Sequence, residues 1–240
     1  PPVRRVPPGA RIYAIGDIHG RLDLLQQLRA QIRRDAAAAG AGRQVLVYLG
    51  DYVDRGMQSR EVIDLLLEQP LEGFEEGQRL GKHEDTMQRF LDEIAVGSNW
   101  LHYGGNMTLR SYGIQVPTGE VDQVQMERLQ QELRTQLPVR HLAFLKSLRL
   151  SYEIGDYFFV HAGVRPGVPF AAQHPEDLIW IRDEFLTSRQ EHGKRVVHGH
   201  SISEEVQVEA NRIGIDTGAY FSGQLTCLVL QDDGHSFLQT

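Results

Sequence analysis

Cysteine is nearly absent: Cys227 stands alone in 240 residues, which excludes an internal disulfide and fits a reducing, cytoplasmic compartment. No apolar run approaches the roughly 18 residues a spanning helix needs, so no membrane partner is expected. Positive charge is in deficit. Lys and Arg number 25 against 32 Asp and Glu, a net charge of −7, which argues against a nucleic-acid binder held by phosphate contacts. No signal peptide is recognisable, with the start at Pro1 leaving a removed leader open. No internal repeat is visible. Four of the ten prolines (Pro1, Pro2, Pro7 and Pro8) fall in the first eight residues, so 1–9 reads as an extended arm. The rest is ordinary for a soluble globular chain, 41% apolar and 24% charged. At about 150 residues per domain, the length favours one domain over 10–240. A chain this long buries about 70–75% of its unfolded surface and needs neither disulfide nor metal merely to fold.

Short apolar runs alternate with helical patterns. Arg11–Ile15 and Val45–Leu49 read as buried strands, ending at Gly16 and Gly50. Between them Leu22, Leu24, Leu25, Leu28 and Ile32 keep helical spacing, and 36–42 reads as an Ala/Gly connector. Val62–Leu67 predicts a helix stopped by Pro70, and 85–96 another. Residues 97–118 look like a loop with a flexible point at Gly104-Gly105. Helices are expected over 121–137 and 139–148, so that a helical insertion occupies 113–148, outward-facing or a lid. The last hundred residues turn mostly to strands: 150–154, 157–160, 195–197, 206–209, 212–215 and 225–230, with helical turns near 175–186. The expected fold class is α/β, a two-sheet β-sandwich flanked by helices.

The chemistry concentrates after the first two strands. The first runs into Gly16-Asp17-Ile18-His19-Gly20 and the second, 34 residues on, into Gly50-Asp51-Tyr52-Val53-Asp54-Arg55-Gly56. Ligands of open α/β sheets gather at such carboxyl ends. Asp17 and His19 can point to one side of an extended segment, and carboxylate plus imidazole suits a borderline divalent ion. A single Gly-Asp after a strand is ordinarily a turn. Two of them, each with further ligand-type residues, point to a metal.

These motifs resemble those of the metallophosphoesterases, specifically the bacterial phosphoprotein phosphatase (Ser/Thr protein phosphatase) branch. That family continues with Gly-Asn-His-Glu, where this chain has Gly81-Lys82-His83-Glu84, and then with His161-Ala162-Gly163 and His198-Gly199-His200. Trp180-Ile181-Arg182 and Ile215-Asp216-Thr217-Gly218 are also similar to bacterial members. The resemblance implies the calcineurin-like metallophosphoesterase fold and two divalent ions, manganese first and iron or zinc as alternatives. Asp17 and His19 would bind the first ion, Asp51 would bridge both, and His161 and His200 would bind the second. A hydroxide bridging the ions would attack phosphorus directly, with His83 as general acid oriented by Asp54. Arg55, and secondarily Arg182, would clamp phosphoryl oxygens. The implied partner is a phosphorylated protein or peptide.

Lys82 departs from the family, which has Asn there as a ligand of the second ion. An ammonium has three donors and no acceptor, so it cannot replace that carbonyl. Three consequences are open: a weakly held second ion, an ammonium filling part of its site, or a deprotonated lysine acting as ligand. A bland reading is a solvated lysine on a shifted loop. The preceding stretch 75–80 is a poor strand, with Leu80 its one strongly apolar residue, and Glu72, Glu75 and Glu76 read as a solvated loop. His102 and His141 read as surface or helix-packing residues, and His198 as local support. Cys227 has no catalytic context. The leading function is therefore a metal-dependent phosphomonoesterase. A dinucleoside polyphosphate hydrolase is the enzymatic alternative, and a catalytically impaired phosphoprotein binder the alternative from another class.

Overall fold

The computed structural model describes residues 3–40 and 42–240. Pro1 and Pro2 of the expected arm, and Ala41 of the expected connector, lie outside the described residues. In chain order the elements are β1 (Ala10–Ile15), α1 (Leu22–Ala39), β2 (Arg43–Tyr48), α2 (Ser59–Glu68), β3 (Phe74–Gln78), α3 (Lys82–Asp92), α4 (Gly97–Trp100), α5 (Asn106–Ser111), α6 (Gln123–Gln136) and α7 (Val139–Ser147). They continue as β4 (Ser151–Ile154), β5 (Tyr157–Val160), α8 (Pro175–Trp180), α9 (Asp183–Leu186), β6 (Arg195–His198), β7 (Gln207–Val208), β8 (Arg212–Gly214), α10 (Ala219–Ser222), β9 (Thr226–Gln231) and β10 (Gly234–Gln239).

Two mixed five-stranded sheets result, ordered β10-β9-β1-β2-β3 and β4-β5-β6-β8-β7. The side-chain period of two sorts each strand between two cores. Along β1, Ile12 and Ala14 face the second sheet and meet Phe159, Val197 and Ile213, while Tyr13 and Ile15 face the helices and meet Leu25, Leu28 and Ile63. The second sheet turns Phe158, Val160 and Val196 outward onto Leu178, Ile181 and Phe185. The order of layers is thus helix, sheet, sheet, helix. A lone apolar core could not fix this arrangement; the alternation on both sheets does, because a one-residue slip would reverse every side chain.

Strand direction is what positions the site. β1, β2 and β3 are parallel, and so are β5, β6 and β8. Every motif read above except Trp180-Ile181-Arg182, which ends α8, follows one of these strands and so emerges at the carboxyl ends.

β10, beyond the last expected strand, was not anticipated, and local expectations needed correction in three further places. α1 runs through Ala39, because alanines propagate a helix better than they end one, so most of the expected connector is helix. The expected loop after Gly97 is helical to Ser111, kinked where Gly104 takes φ 113°. Its helix is stabilised by packing rather than pattern: Trp100 is buried against Phe90, with ring centroids 4.9 Å apart. The poor strand is β3, shifted to begin at Phe74 and paired with β2 in parallel. It lies at a sheet edge, where one row of backbone groups and half the side chains meet solvent, so few apolar residues are needed. Accordingly Glu75 pairs with Arg43 (2.8 Å) and Glu76 accepts from the Leu71 N–H (2.5 Å), rather than dangling on a loop.

Candidate metal centre

Asp51 is the hub. It follows β2, is 2% exposed, and its Oδ2 lies 3.4 Å from His161 Nε2, 3.7 Å from His19 Nε2 and 3.9 Å from His83 Nε2. These spacings are too long for direct hydrogen bonds. Two trios form around this carboxylate, His19–Asp51–His83 and Asp51–His161–His200, each with ligand-type atoms within 4.8 Å of one another.

The imidazoles are pre-oriented. His19 Nδ1 donates to the Val53 carbonyl at 2.8 Å, and His161 Nδ1 to the Leu49 carbonyl at 2.9 Å. With Nδ1 carrying the proton, each Nε2 turns its lone pair to the centre, the usual outer support of a metal-ligating histidine. The Nε2 atoms of His161 and His200 are buried without any hydrogen-bond partner. Buried polar atoms seldom remain unsatisfied, so these two orphans, aimed with Asp51 at one point, fit a cation. Burial drives the His19 pKa down to about 3 and that of His200 to about 2, which keeps both neutral and able to ligate. Burial opposes ionisation of Asp51, yet His161, His83 and His19 together hold its carboxyl well below the usual range.

Asp17 follows β1 and is also buried. Its two oxygens accept from the His200 N–H at 3.2 and 3.1 Å, and burial beside Asp216 and Asp51 pushes its pKa well up. Three neighbouring carboxylates in one buried place repel strongly unless a cation or protons intervene.

His83 has a different surrounding. Its Nδ1 is 2.6 Å from Asp54 Oδ2, which also accepts from Trp100 Nε1 at 2.9 Å, while Asp54 Oδ1 accepts from Thr108 Oγ1 at 2.6 Å. Burial lowers the His83 pKa, but Asp51 and the bond to Asp54 outweigh it, and the net shift is upward. Arg55 Cζ stacks 4.5 Å over the Tyr220 ring, and Arg182 reaches Ser201 Oγ at 3.5 Å. Beside Arg55 a cavity of about 370 Å³ opens, lined by His102, Tyr103, Asn106, Met107 and Tyr220 among others.

Lys82 opens α3 and is half-buried, close enough to Asp51 and His200 for their charges to act on one another. Nζ sits 5.1 Å from the Tyr103 ring centroid and 5.0 Å from that of Trp180, over both faces. It satisfies neither orphan nitrogen of the second trio.

Sequence reasoning missed several supports. Glu84 is fully buried and accepts four backbone N–H groups, from Tyr52 (2.7 Å), Asp51 (2.9 Å), Val53 (3.1 Å) and Gly81 (3.1 Å). Burial and Asp51 push its pKa up to about 7 against those donors. Its place at the third position of α3 was the available signal, since a Glu there reaches back to the backbone N–H of the residue before the helix. Gly81 is required there because a Cβ would lie 2.4 Å from Asp51 Oδ1. Trp100, Tyr103 and Thr108 arrive on the helical segment misread as a loop, and nothing local marked them. His141 is a helix-packing residue, bonded to Tyr112 Oη (2.8 Å) and Asp64 (2.9 Å), whereas His102 is exposed. His198 packs edge-on against Phe185.

The backbone here is unusual. His19, Asp51, Asp54, Arg55 and His200 all have positive φ, between 48° and 70°, and among the described non-glycine residues only Asp232 joins them. Such conformations cost about 1–3 kcal/mol each and persist where surrounding structure over-determines them. Their concentration in one place marks function rather than chance turns.

Comparison with known proteins agrees. Residues 10–232 match the family model of calcineurin-like phosphoesterases. The chain is 26% identical to serine/threonine-protein phosphatase 2 of Escherichia coli K12 over 224 residues, covering 90% of each. It is 27% identical to the bis(5'-nucleosyl)-tetraphosphatase PrpE of Anoxybacillus flavithermus over 237 residues, covering 89% of this chain and 88% of that one. Its fold is similar to the crystal structure of a putative diadenosine tetraphosphatase (TM-score 0.61, 19% identity, 98% of both chains). It is similar also to a cold-active protein tyrosine phosphatase (TM-score 0.60, 16% identity, 98% of this chain and 82% of that one).

Proposed function

The chain belongs to the calcineurin-like phosphoesterase family, and from that premise we propose that it is a metal-dependent phosphohydrolase whose centre is built on Asp51. The observation that carries the reading is the single carboxylate oxygen ringed by three imidazole Nε2 atoms, two trios sharing one ligand. Asp17, His19 and Asp51 would hold one divalent ion, and Asp51, His161 and His200 the other. When bound, such a pair supplies Lewis acidity and an ionised water for in-line displacement at phosphorus.

The chain's own residues do the rest. Arg55 and Arg182 present guanidinium forks that match phosphoryl oxygens and fix the phosphorus in place. Asp54 stabilises the imidazolium of His83 and holds its ring with Nε2 toward the centre. His83 Nε2–H is then placed to give its proton to the departing oxygen, the step that an alkoxide leaving group needs most. His83 also falls within the His19–Asp51 trio, but its bond to Asp54 and its raised pKa favour the proton-donor role.

The first substrate reading is a phosphoserine or phosphothreonine monoester in a protein, supported by the His83–Asp54 pair. The second is a dinucleoside polyphosphate, favoured by the cation that Lys82 adds beside the centre. The impaired-binder reading keeps its motive, since an ammonium offers no acceptor in place of the asparagine carbonyl, and turnover decides it. The test is metal content by mass spectrometry and hydrolysis of p-nitrophenyl phosphate, a phosphoserine peptide and diadenosine tetraphosphate, with Mn²⁺ and after chelation. Chelator-sensitive turnover of at least one substrate is expected. Turnover of none by a metal-loaded, folded protein refutes the proposal.

A further inference from the structure

Three cations, Lys82, Arg55 and Arg182, stand at the mouth of the centre, and among the described residues none lies within ion-pair distance of a carboxylate. The charge that acts most on Lys82 is that of Asp51, followed by those of Arg182 and Arg55. By contrast Arg165 is paired with both Asp177 and Glu184. Lys82 and Arg55 are instead held by aromatic faces, Tyr103 and Trp180 for one and Tyr220 for the other. The difference matters physically. A carboxylate would both position a cation and cancel its charge, whereas a ring face positions it and leaves the charge available to a ligand.

The cage is also open. Tyr103 is 51% exposed and Trp180 36%, so the rings that hold the half-buried Lys82 reach the surface. Tyr103 is shared between Lys82 and the cavity of about 370 Å³ beside Arg55. A chain of anionic groups leaving the centre past Lys82 is therefore led along Tyr103 into that cavity. A phosphomonoester has a single phosphoryl group, for which Arg55 and Arg182 suffice. The third cation has nothing to bind on such a substrate.

We infer that Lys82 is a specificity-determining residue that binds the phosphoryl group next to the one attacked, which favours the second substrate reading, a phosphoanhydride chain, over the monoester. This rests on the proposed phosphohydrolase reading. In the reaction, the oxygen of water bonds to the attacked phosphorus and the bridging P–O bond breaks. Its electron pair leaves on the neighbouring phosphate, where Lys82 meets the developing charge, and the proton of water passes to solvent.

The experiment compares wild type, Lys82→Gln and Lys82→Arg as Mn²⁺-loaded full chains. The first readout is the ratio of kcat/KM for diadenosine tetraphosphate to that for p-nitrophenyl phosphate, with a phosphoserine peptide alongside. The second is the calorimetric Kd of imidodiphosphate against orthophosphate, which needs no turnover. Lys82→Gln should lower the ratio at least about tenfold and weaken imidodiphosphate relative to orthophosphate by a similar factor, as expected for a lost bond to a charged group. Lys82→Arg should restore both to within about threefold. A ratio within about twofold of wild type in Lys82→Gln, equal weakening of both anions, or a loss confined to the phosphopeptide overturns the inference. Should no substrate turn over while imidodiphosphate still binds more tightly through Lys82, the catalytic reading fails and the anion subsite stands.

Discussion

Asp54→Asn separates proton donation from metal binding. In the native site Asp54 Oδ2 accepts from both His83 Nδ1 and Trp100 Nε1, while Oδ1 meets the Thr108 hydroxyl. An asparagine can keep this geometry. With its amide oxygen toward His83 and Trp100, its NH₂ faces a hydroxyl that is able to accept. The fold should therefore survive, and what is lost is one negative charge 2.6 Å from the imidazole. The negative charge favours the imidazolium, so its loss should lower the His83 pKa. On the alkaline side of the profile the protonated fraction, and with it kcat for a phosphoserine peptide, should drop about 10–100-fold. A general acid is lost as pH rises through its pKa, so the alkaline limb of the kcat profile should move to lower pH. p-Nitrophenyl phosphate, whose leaving group needs little protonation, should lose much less. The assay is the pair of pH–rate profiles at saturating Mn²⁺, with metal content measured on the same samples. An unmoved alkaline limb, or equal losses for both substrates with metal retained, would refute the assignment of His83 as acid.

Other expectations concern the supports. Gly104→Ala should reduce kcat/KM about tenfold or more, because φ of 113° and a Cβ 2.6 Å from Arg55 N force Arg55 to move; unchanged kinetics would detach this kink from the site. Glu84→Gln keeps only one of the two oxygens that each serve two backbone donors, whichever way the amide turns. The 51–53 loop should loosen and Mn²⁺ affinity fall about 10–100-fold, readable by calorimetry, and full affinity would contradict it. His198 is buried and its pKa is pushed down to about 3 by burial. The unfolded chain therefore binds a proton below about pH 6.5 that the folded chain refuses, and stability is lost as pH falls. Relative to His198→Leu, wild type should lose about 2 kcal/mol between pH 8 and pH 5 in urea titrations; parallel pH dependence of the two proteins would show that His198 is not buried neutral.

The gathering of Asp17, His19, Asp51, His161 and His200 was legible because each lies within a few residues of the end of a short strand, whereas His83, in the first turn of α3, was legible only from its motif. Strand direction then carries all six to one end. The two-sheet class was legible because continuous apolar runs such as Ile12–Ile15 and Val45–Tyr48 imply strands buried on both faces. β3 was hard to read because an edge strand can expose Glu75 without penalty. Residues 97–111 were misread because Gly97, Gly104 and Gly105 break the helical period, and helix formation there depends on Trp100 finding Phe90.

Local sequence by itself determined which residues carry the chemistry and at which end of the strands they stand, since both follow from spacing along a few residues. What only the tertiary structure decided is where the charge of Lys82 goes. Its neighbours in sequence offered a ligand position. Tyr103 and Trp180, 21 and 98 residues further on, draw the ammonium to the mouth instead. A cation's direction is set by the faces that surround it in space, and those faces come from segments whose meeting no local pattern encodes.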